Sequence, residues 1–135
     1  MATQTKNDKL AKNEKTAKDD KVGSSKIVRA LSFWHGVTST ALKQMPIDLS
    51  ARQTAILLNV YLMPPPHSIK SLADDLMISK PAICRAIDAL EKAKLVKRLR
   101  DRQDKRNVLI QRTAKGSIYL SEFADIILSL SREAA

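Results

Sequence analysis

From Ser24 onward, Ile27, Leu31, Trp34, Thr38, Ala41 and Met45 recur at alternating steps of four and three, which lines one stripe along an α-helix. Ser24 or Ser25 caps its start, and Pro46 ends it because a residue before proline is pushed out of the helical region. Gly36 weakens this helix locally, by about 1 kcal/mol relative to Ala, and admits close packing. Ser50-Ala51-Arg52-Gln53 reads as a capping box opening a second helix that buries Ile56, Leu57, Val60 and Tyr61. Pro64-Pro65-Pro66 closes it. Ser68 caps a short third helix with Leu72, Ala73 and Leu76 on one face, and Met77-Ile78 make a tight turn. A fourth helix follows at once, with Ser79 as cap, Pro81 in the first turn, and Ile83, Ala86, Ile87 and Leu90 as its buried stripe. Two helices joined so briefly form a helix-turn-helix. Leu95–Arg100 and Asn107–Arg112 then read as strands around the polar turn Asp101–Arg106, a β-hairpin wing. Thr113 caps a last helix with Tyr119, Phe123, Ile126, Ile127 and Leu130 on its apolar side.

The predicted fold is mainly α with a small β-hairpin: a winged helix-turn-helix over 48–112, flanked by helices at 24–45 and 113–133. Residues 24–135 form one domain, which suits a chain of 135 residues with 44% apolar composition. The flanking stripes, with Ile27, Leu31 and Trp34 on the first helix and Tyr119, Phe123, Ile127 and Leu130 on the last, would leave apolar surface bare in a monomer. They are the expected dimerisation residues. Met1–Gly23 differs in kind: six lysines at a three-residue period drift around a helix without forming a face, and large apolar residues are almost lacking. It is expected to be a disordered, Lys-rich tail. Its four carboxylates leave it a weak cation.

Lys and Arg outnumber Asp and Glu by 24 to 14, a net charge of +10, and such a field favours polyanions, nucleic acid before an anionic membrane. With no apolar run long enough to span a bilayer and no secretory signal, a cytoplasmic location is expected. Cys84 is the single cysteine, so neither an intramolecular disulfide nor a structural zinc site is expected. No cofactor is predicted.

Seven of the ten net charges fall between Lys80 and Arg112, where Lys80, Arg85, Lys92, Lys94, Lys97, Arg98, Arg100, Arg102, Lys105, Arg106 and Arg112 face only Asp88, Glu91, Asp101 and Asp104. Such concentration on one helix and its adjoining hairpin is what phosphate neutralisation requires. The first turns of a recognition helix reach base edges in the major groove, which nominates Ser79, Lys80, Pro81, Ala82 and Arg85. Arg85 suits a bidentate contact to guanine, Lys80 a guanine or a phosphate, and Ala82 a thymine methyl. Ser79 is a helix cap before it is a reader. Cys84 reads as packing rather than as a sensor. On the wing, Arg100, Arg102, Lys105 and Arg106 offer a cationic tip to the narrow, strongly negative minor groove, with Asp104 pairing Arg106 as an alternative that only stiffens the hairpin.

These stretches resemble the MarR family of winged helix-turn-helix regulators. The likeness lies in Leu49-Ser50-Ala51-Arg52-Gln53, Ser71-Leu72-Ala73, Ala89-Leu90-Glu91 through Leu95-Val96, Asp104-Lys105-Arg106-Asn107-Val108-Leu109, and Thr113-Ala114-Lys115-Gly116. It implies a homodimer on a pseudopalindromic duplex, and transcriptional repression relieved by a small acidic or phenolic ligand. Lys94 stands where the family usually has glycine after the recognition helix, and Arg112 where it usually has leucine. The chain reaches Ala135 near the end of one helix where the family commonly adds another, so no effector-binding residues are carried over.

Other functions find less support in the residues. His35 and His67, the two histidines, have no paired carboxylates or metal-ligand spacing around them, so an enzyme is not expected. A protein-interaction module would need an acidic partner for the wing. Duplex RNA hides its major groove from a recognition helix. A non-specific, architectural DNA-binding protein remains the main alternative to a sequence-specific regulator.

Overall fold

The computed structural model describes residues 24–134; the Lys-rich tail lies outside them. The expected elements form in the expected order: α1 Ser25–Gln44, α2 Ala51–Leu62, α3 Ile69–Leu76, α4 Lys80–Lys92, β1 Val96–Arg100, β2 Val108–Arg112 and α5 Ala114–Ala134. They belong to two compact units, one from Ala41 to Asp125 and one combining the chain up to Thr40 with the segment from Ile126 onward.

The Ala41–Asp125 unit holds the winged helix. Its core joins Ile56, Leu57 and Val60 of α2, Leu72 of α3, Ile83, Ala86, Ile87 and Leu90 of α4, and Leu95, Val96 and Ile110 of the hairpin. Each helix starts where the sequence supplies a hydroxyl. Ser50 and Gln53 complete a reciprocal capping box at α2, Ser68 and Ser71 do the same at α3, and the Ser79 hydroxyl accepts from the Ala82 N–H at α4. β1 and β2 pair antiparallel with Val96 opposite Arg112 and Arg100 opposite Val108. The other edge of β2 is engaged at Ser68–Leu109 and by the Ile110 N–H donating to the His67 carbonyl at 2.8 Å. His67, read from the sequence as a loop residue, is buried, with its ring Nε2 3.2 Å from the Met63 carbonyl.

Both helices of the helix-turn-helix end on left-handed residues that are not glycine. Met77 (φ 53°) closes α3, and Lys94 (φ 64°) follows α4. After α4 the Lys94 N–H donates to Glu91 and the Leu95 N–H to Leu90. This double bond pattern satisfies the last carbonyls and places Leu95 in the core beside Leu90. Lys94 therefore adopts a left-handed turn of the kind glycine makes most easily, at a backbone cost of about 1–2 kcal/mol.

The chain crosses itself most closely just beyond. The Tyr61 hydroxyl, on α2, lies 3.0 Å from the carbonyls of Leu95 and Thr113, donating to one or the other, and accepts from the Thr113 N–H at 2.9 Å. Thr113 Oγ1 accepts from the Gly116 N–H at 3.0 Å and donates to the Lys94 carbonyl at 2.8 Å, so one side chain caps α5 and closes the turn after α4. Gly116 is where the backbones touch: a methyl group there would fall on the Tyr61 hydroxyl and the Leu95 carbonyl oxygen, with Tyr61 Cζ only 2.7 Å away.

Tyr119, expected at a dimer contact, is instead buried in this unit's core, and its hydroxyl donates to the Ile47 carbonyl at 3.1 Å. Burial, with the Asp48 charge nearby, holds its phenol above the usual tyrosine range. A tyrosine on an apolar stripe looks the same in sequence whether it packs within its own chain or across an interface.

In the second unit Val37 and Ile126 are buried, and Leu130 of α5 closes on Gly36 of α1, where a Cβ would sit 3.4 Å from its methyl. That is the close packing expected at Gly36. Val28, Leu31, Trp34 and Leu128 remain exposed, Trp34 by 56%.

Two substitutions test this account by chemical denaturation of the full chain. Gly116→Ala is expected to lower unfolding free energy by about 2–3 kcal/mol, since the methyl has only rigid groups to displace. Lys94→Gly is expected to raise it by about 0.5–1 kcal/mol, the relieved left-handed strain less the entropy glycine loses on folding.

Candidate nucleic-acid interface

Burial of Ile83, Ala86, Ile87 and Leu90 fixes the roll of α4, and so decides which of its side chains meet solvent. Ser79, Lys80, Pro81, Arg85, Asp88, Ala89 and Lys92 are exposed, with Pro81, Arg85, Ala89 and Lys92 following one another at steps of four, four and three along a single stripe. Of the nominated residues, the structure thus brings Ser79, Lys80, Pro81 and Arg85 to one surface. Ala82 departs from expectation. Its side chain is buried, 6% exposed, and packs inward with its neighbour Ile83, so it offers no methyl contact; Ala89 is the small apolar residue that the exposed stripe presents. Cys84 is half-buried and makes no disulfide.

The hairpin carries Arg100, Arg102, Lys105 and Arg106 exposed. Its two aspartates are occupied by the turn itself. Asp101 Oδ1 accepts from the Gln103 N–H at 2.9 Å and Asp104 Oδ1 from the Arg106 N–H at 3.1 Å, while the Asp101 N–H donates to the Asn107 carbonyl. Asp104 therefore meets the backbone of Arg106, and the guanidinium stays out of any ion pair among the described residues.

Two cations of the segment are spent differently. Arg98 takes both Asp88 and Glu91, with N–O distances of 2.6 and 3.1 Å. Its partial burial would lower its pKa, but the hydrogen bonds to Asp88 and then Glu91 outweigh that and hold it above the ordinary arginine value. Arg112, charged where a leucine was expected, caps α2: its Nε donates to the Val60 carbonyl at 3.0 Å and a terminal nitrogen lies 3.4 Å from the Met63 carbonyl. Its guanidinium also stands 5.7 Å from the Tyr61 ring centroid. A cation at a helix C-terminus meets orphan carbonyls and the negative end of the dipole.

The result is an asymmetric electrostatic surface. All four carboxylates between Lys80 and Arg112 are engaged by the protein's own groups, whereas the exposed cations of α4 and the wing find no acidic partner among the described residues. Sequence reasoning missed the Arg98 clamp, although strand alternation carried a signal: Val96 points into the core, so Arg98, two residues on, shares its face toward α4.

A sequence model of the MarR family matches residues 49–108, from the start of α2 into the wing. The same arrangement of helices and hairpin recurs in solved structures. The chain is similar to MepR of S. aureus in its DNA complex, with 23% identity and a TM-score of 0.68 over 81% of this chain and 88% of that one. Residues 49–108 carry a MarR-family domain. The transcriptional regulator BldR from Sulfolobus Solfataricus is 28% identical with a TM-score of 0.58, over 93% of this chain and 81% of that one. YusO from Bacillus subtilis is 15% identical with a TM-score of 0.67 over the same shares. At the two positions where the sequence departs from the expected pattern, Lys94 takes a left-handed turn and Arg112 caps α2.

Proposed function

We propose that this MarR-family chain is a sequence-specific, double-stranded DNA-binding transcriptional regulator that acts in the cytoplasm as a homodimer and represses genes near a pseudopalindromic site. The observation that carries this reading is the charge arrangement: cations on the exposed stripe of α4 and on the wing that find no acidic partner among the described residues, with all four carboxylates between Lys80 and Arg112 already engaged. A polyanion meets that surface without having to displace an internal ion pair. The DNA complex of MepR, a relative in fold, supports duplex DNA as the polyanion.

Arg85, central on the exposed stripe, reads a base, with guanine the best chemical match. Lys80 and the N-terminal turn at Ser79 and Pro81 set the register on the backbone. Arg100, Arg102, Lys105 and Arg106 contact phosphates and the minor groove. Exposed Leu31 and Trp34 of α1 support a two-fold dimer, together with the expected partners Ile27, Phe123, Ile127 and Leu130, which are half-buried within the chain. Such a dimer reads half-sites about one helical turn apart. Among the described residues no helix is long and apolar enough to cross a membrane, and no cluster of side chains fits a metal.

Selection of bound sequences from a random duplex pool is expected to return a pseudopalindrome held at least about a thousandfold tighter than a scrambled duplex at the same salt. Equal, steeply salt-dependent affinity for both would instead establish an architectural, DNA-coating protein. Arg85→Ala is expected to relax preference at one position of each half-site. Arg102→Ala is expected to weaken binding to every duplex and lower the salt slope by about one. Light scattering at micromolar concentration is expected to give the mass of a dimer, and a monomer there would remove the two-fold reading.

A further inference from the structure

Helix α4 and the wing serve one duplex only if both reach their grooves together. Beyond Val96 the strand β1 leaves the core, with Lys97, Leu99 and Arg100 exposed. Arg98 alone turns back. Its guanidinium bridges two carboxylates nearly one helical turn apart on α4, 2.6 Å from Asp88 and 3.1 Å from Glu91, and its own backbone N–H donates to the other oxygen of Glu91 at 2.9 Å. Glu91 thus holds main chain and side chain of one strand residue at once, a grip that a planar guanidinium makes rigid.

The geometry points to Arg98 as a positioning residue that sets the angle between the recognition helix and the wing, and through it the groove geometry the protein accepts. This role rests on the DNA-binding reading above. Exposure of the Asp88 and Glu91 side chains, 65% and 40%, means that water screens the pairs and that they add little to folding stability. What the clamp supplies is orientation. The hairpin is otherwise anchored by Val96 and Ile110 in the core and, on the outer edge of β2, by the Ser68–Leu109 bridge, and on β1 Arg98 is the last attachment before the tip. The clamp also offsets one of the two negative charges that Asp88 and Glu91 place on the flank of a helix that has to approach phosphates.

Orientation and charge separate in a double-mutant cycle on the full chain. Arg102→Ala is placed in three backgrounds: wild type, Arg98→Met, and Asp88→Asn/Glu91→Gln/Arg98→Met, which has no clamp yet exposes no extra negative charge. Binding is measured on the selected pseudopalindrome. Loss of the clamp is expected to weaken binding about tenfold in both backgrounds, and Arg102→Ala, costly in wild type, is then expected to cost less than about twofold. The same cost for Arg102→Ala in all three backgrounds would overturn the role, and recovery of wing dependence in the triple variant would assign the effect to charge.

A second measurement needs no DNA. Spin labels on Gln103→Cys and Lys92→Cys, in a Cys84→Ser background, are expected to give a narrow distance distribution that broadens with Arg98→Met while the melting temperature holds within a few degrees. An unchanged distribution would show that Arg98 does not hold the wing. A broadened one in a protein without preference for any duplex would leave the tether standing and bring down the DNA-binding reading, and with it the role in recognition.

Discussion

One hydroxyl group organises the winged helix. Tyr61, at the end of α2, meets the backbone leaving α4 at Leu95 and the backbone entering α5 at Thr113. Three segments distant in sequence are forced to one point, and Gly116 allows the approach, its missing side chain leaving room for the tyrosine oxygen. Buried carbonyls and N–H groups at such a crossing need partners, and Tyr61 with Thr113 supplies them. Arg112 adds a cation across the Tyr61 ring and onto the carbonyls ending α2. The exit of the recognition helix, the return of the wing and the start of the last helix therefore share one hydrogen-bonded node.

From that node outward, the geometry of the surface follows from burial. The apolar stripe of α4 fixes its roll, the roll selects Lys80, Arg85 and Lys92 for solvent, and Arg98 carries the helix's orientation into the hairpin. Each step converts hydrophobic periodicity into the placement of charge. In that sense the pattern of exposed charge is set by the core: a helix rolled by one residue would turn about 100° and withdraw Arg85 from the surface.

Much of this was legible in the residues. Helix periods, serine caps and the proline stops located the helices among the described residues, and the concentration of lysine and arginine located the exposed cations of α4 and the wing. What could not be read was which partner each polar group finds. Ala82 lies next to exposed Pro81 and buried Ile83, and only the roll of the helix decides its side. Tyr119 sits on a stripe whose apolar partner is in the same chain, a distinction that periodicity does not contain. Arg98 and Arg112 look like phosphate ligands in a charge count and are internal struts in the fold, because their partners come from 7 to 52 residues away. Lys94 shows the converse: the turn after α4 keeps its geometry although the side chain is unsuited to it, since the carbonyls it satisfies belong to the helix whatever residue follows.

The wing aspartates carry a consequence for how such a surface changes over generations. Asp101 and Asp104 act in the turn through one oxygen each, accepting a backbone N–H two residues on. An asparagine oxygen accepts the same bond in the same turn. The hairpin is therefore built so that exchanging either residue for asparagine removes one negative charge at the tip and keeps the backbone hydrogen bond of the turn. Attraction to a polyanion is adjustable there in whole-charge increments, by single-nucleotide steps, independently of the exposed stripe of α4 and of the core that holds it.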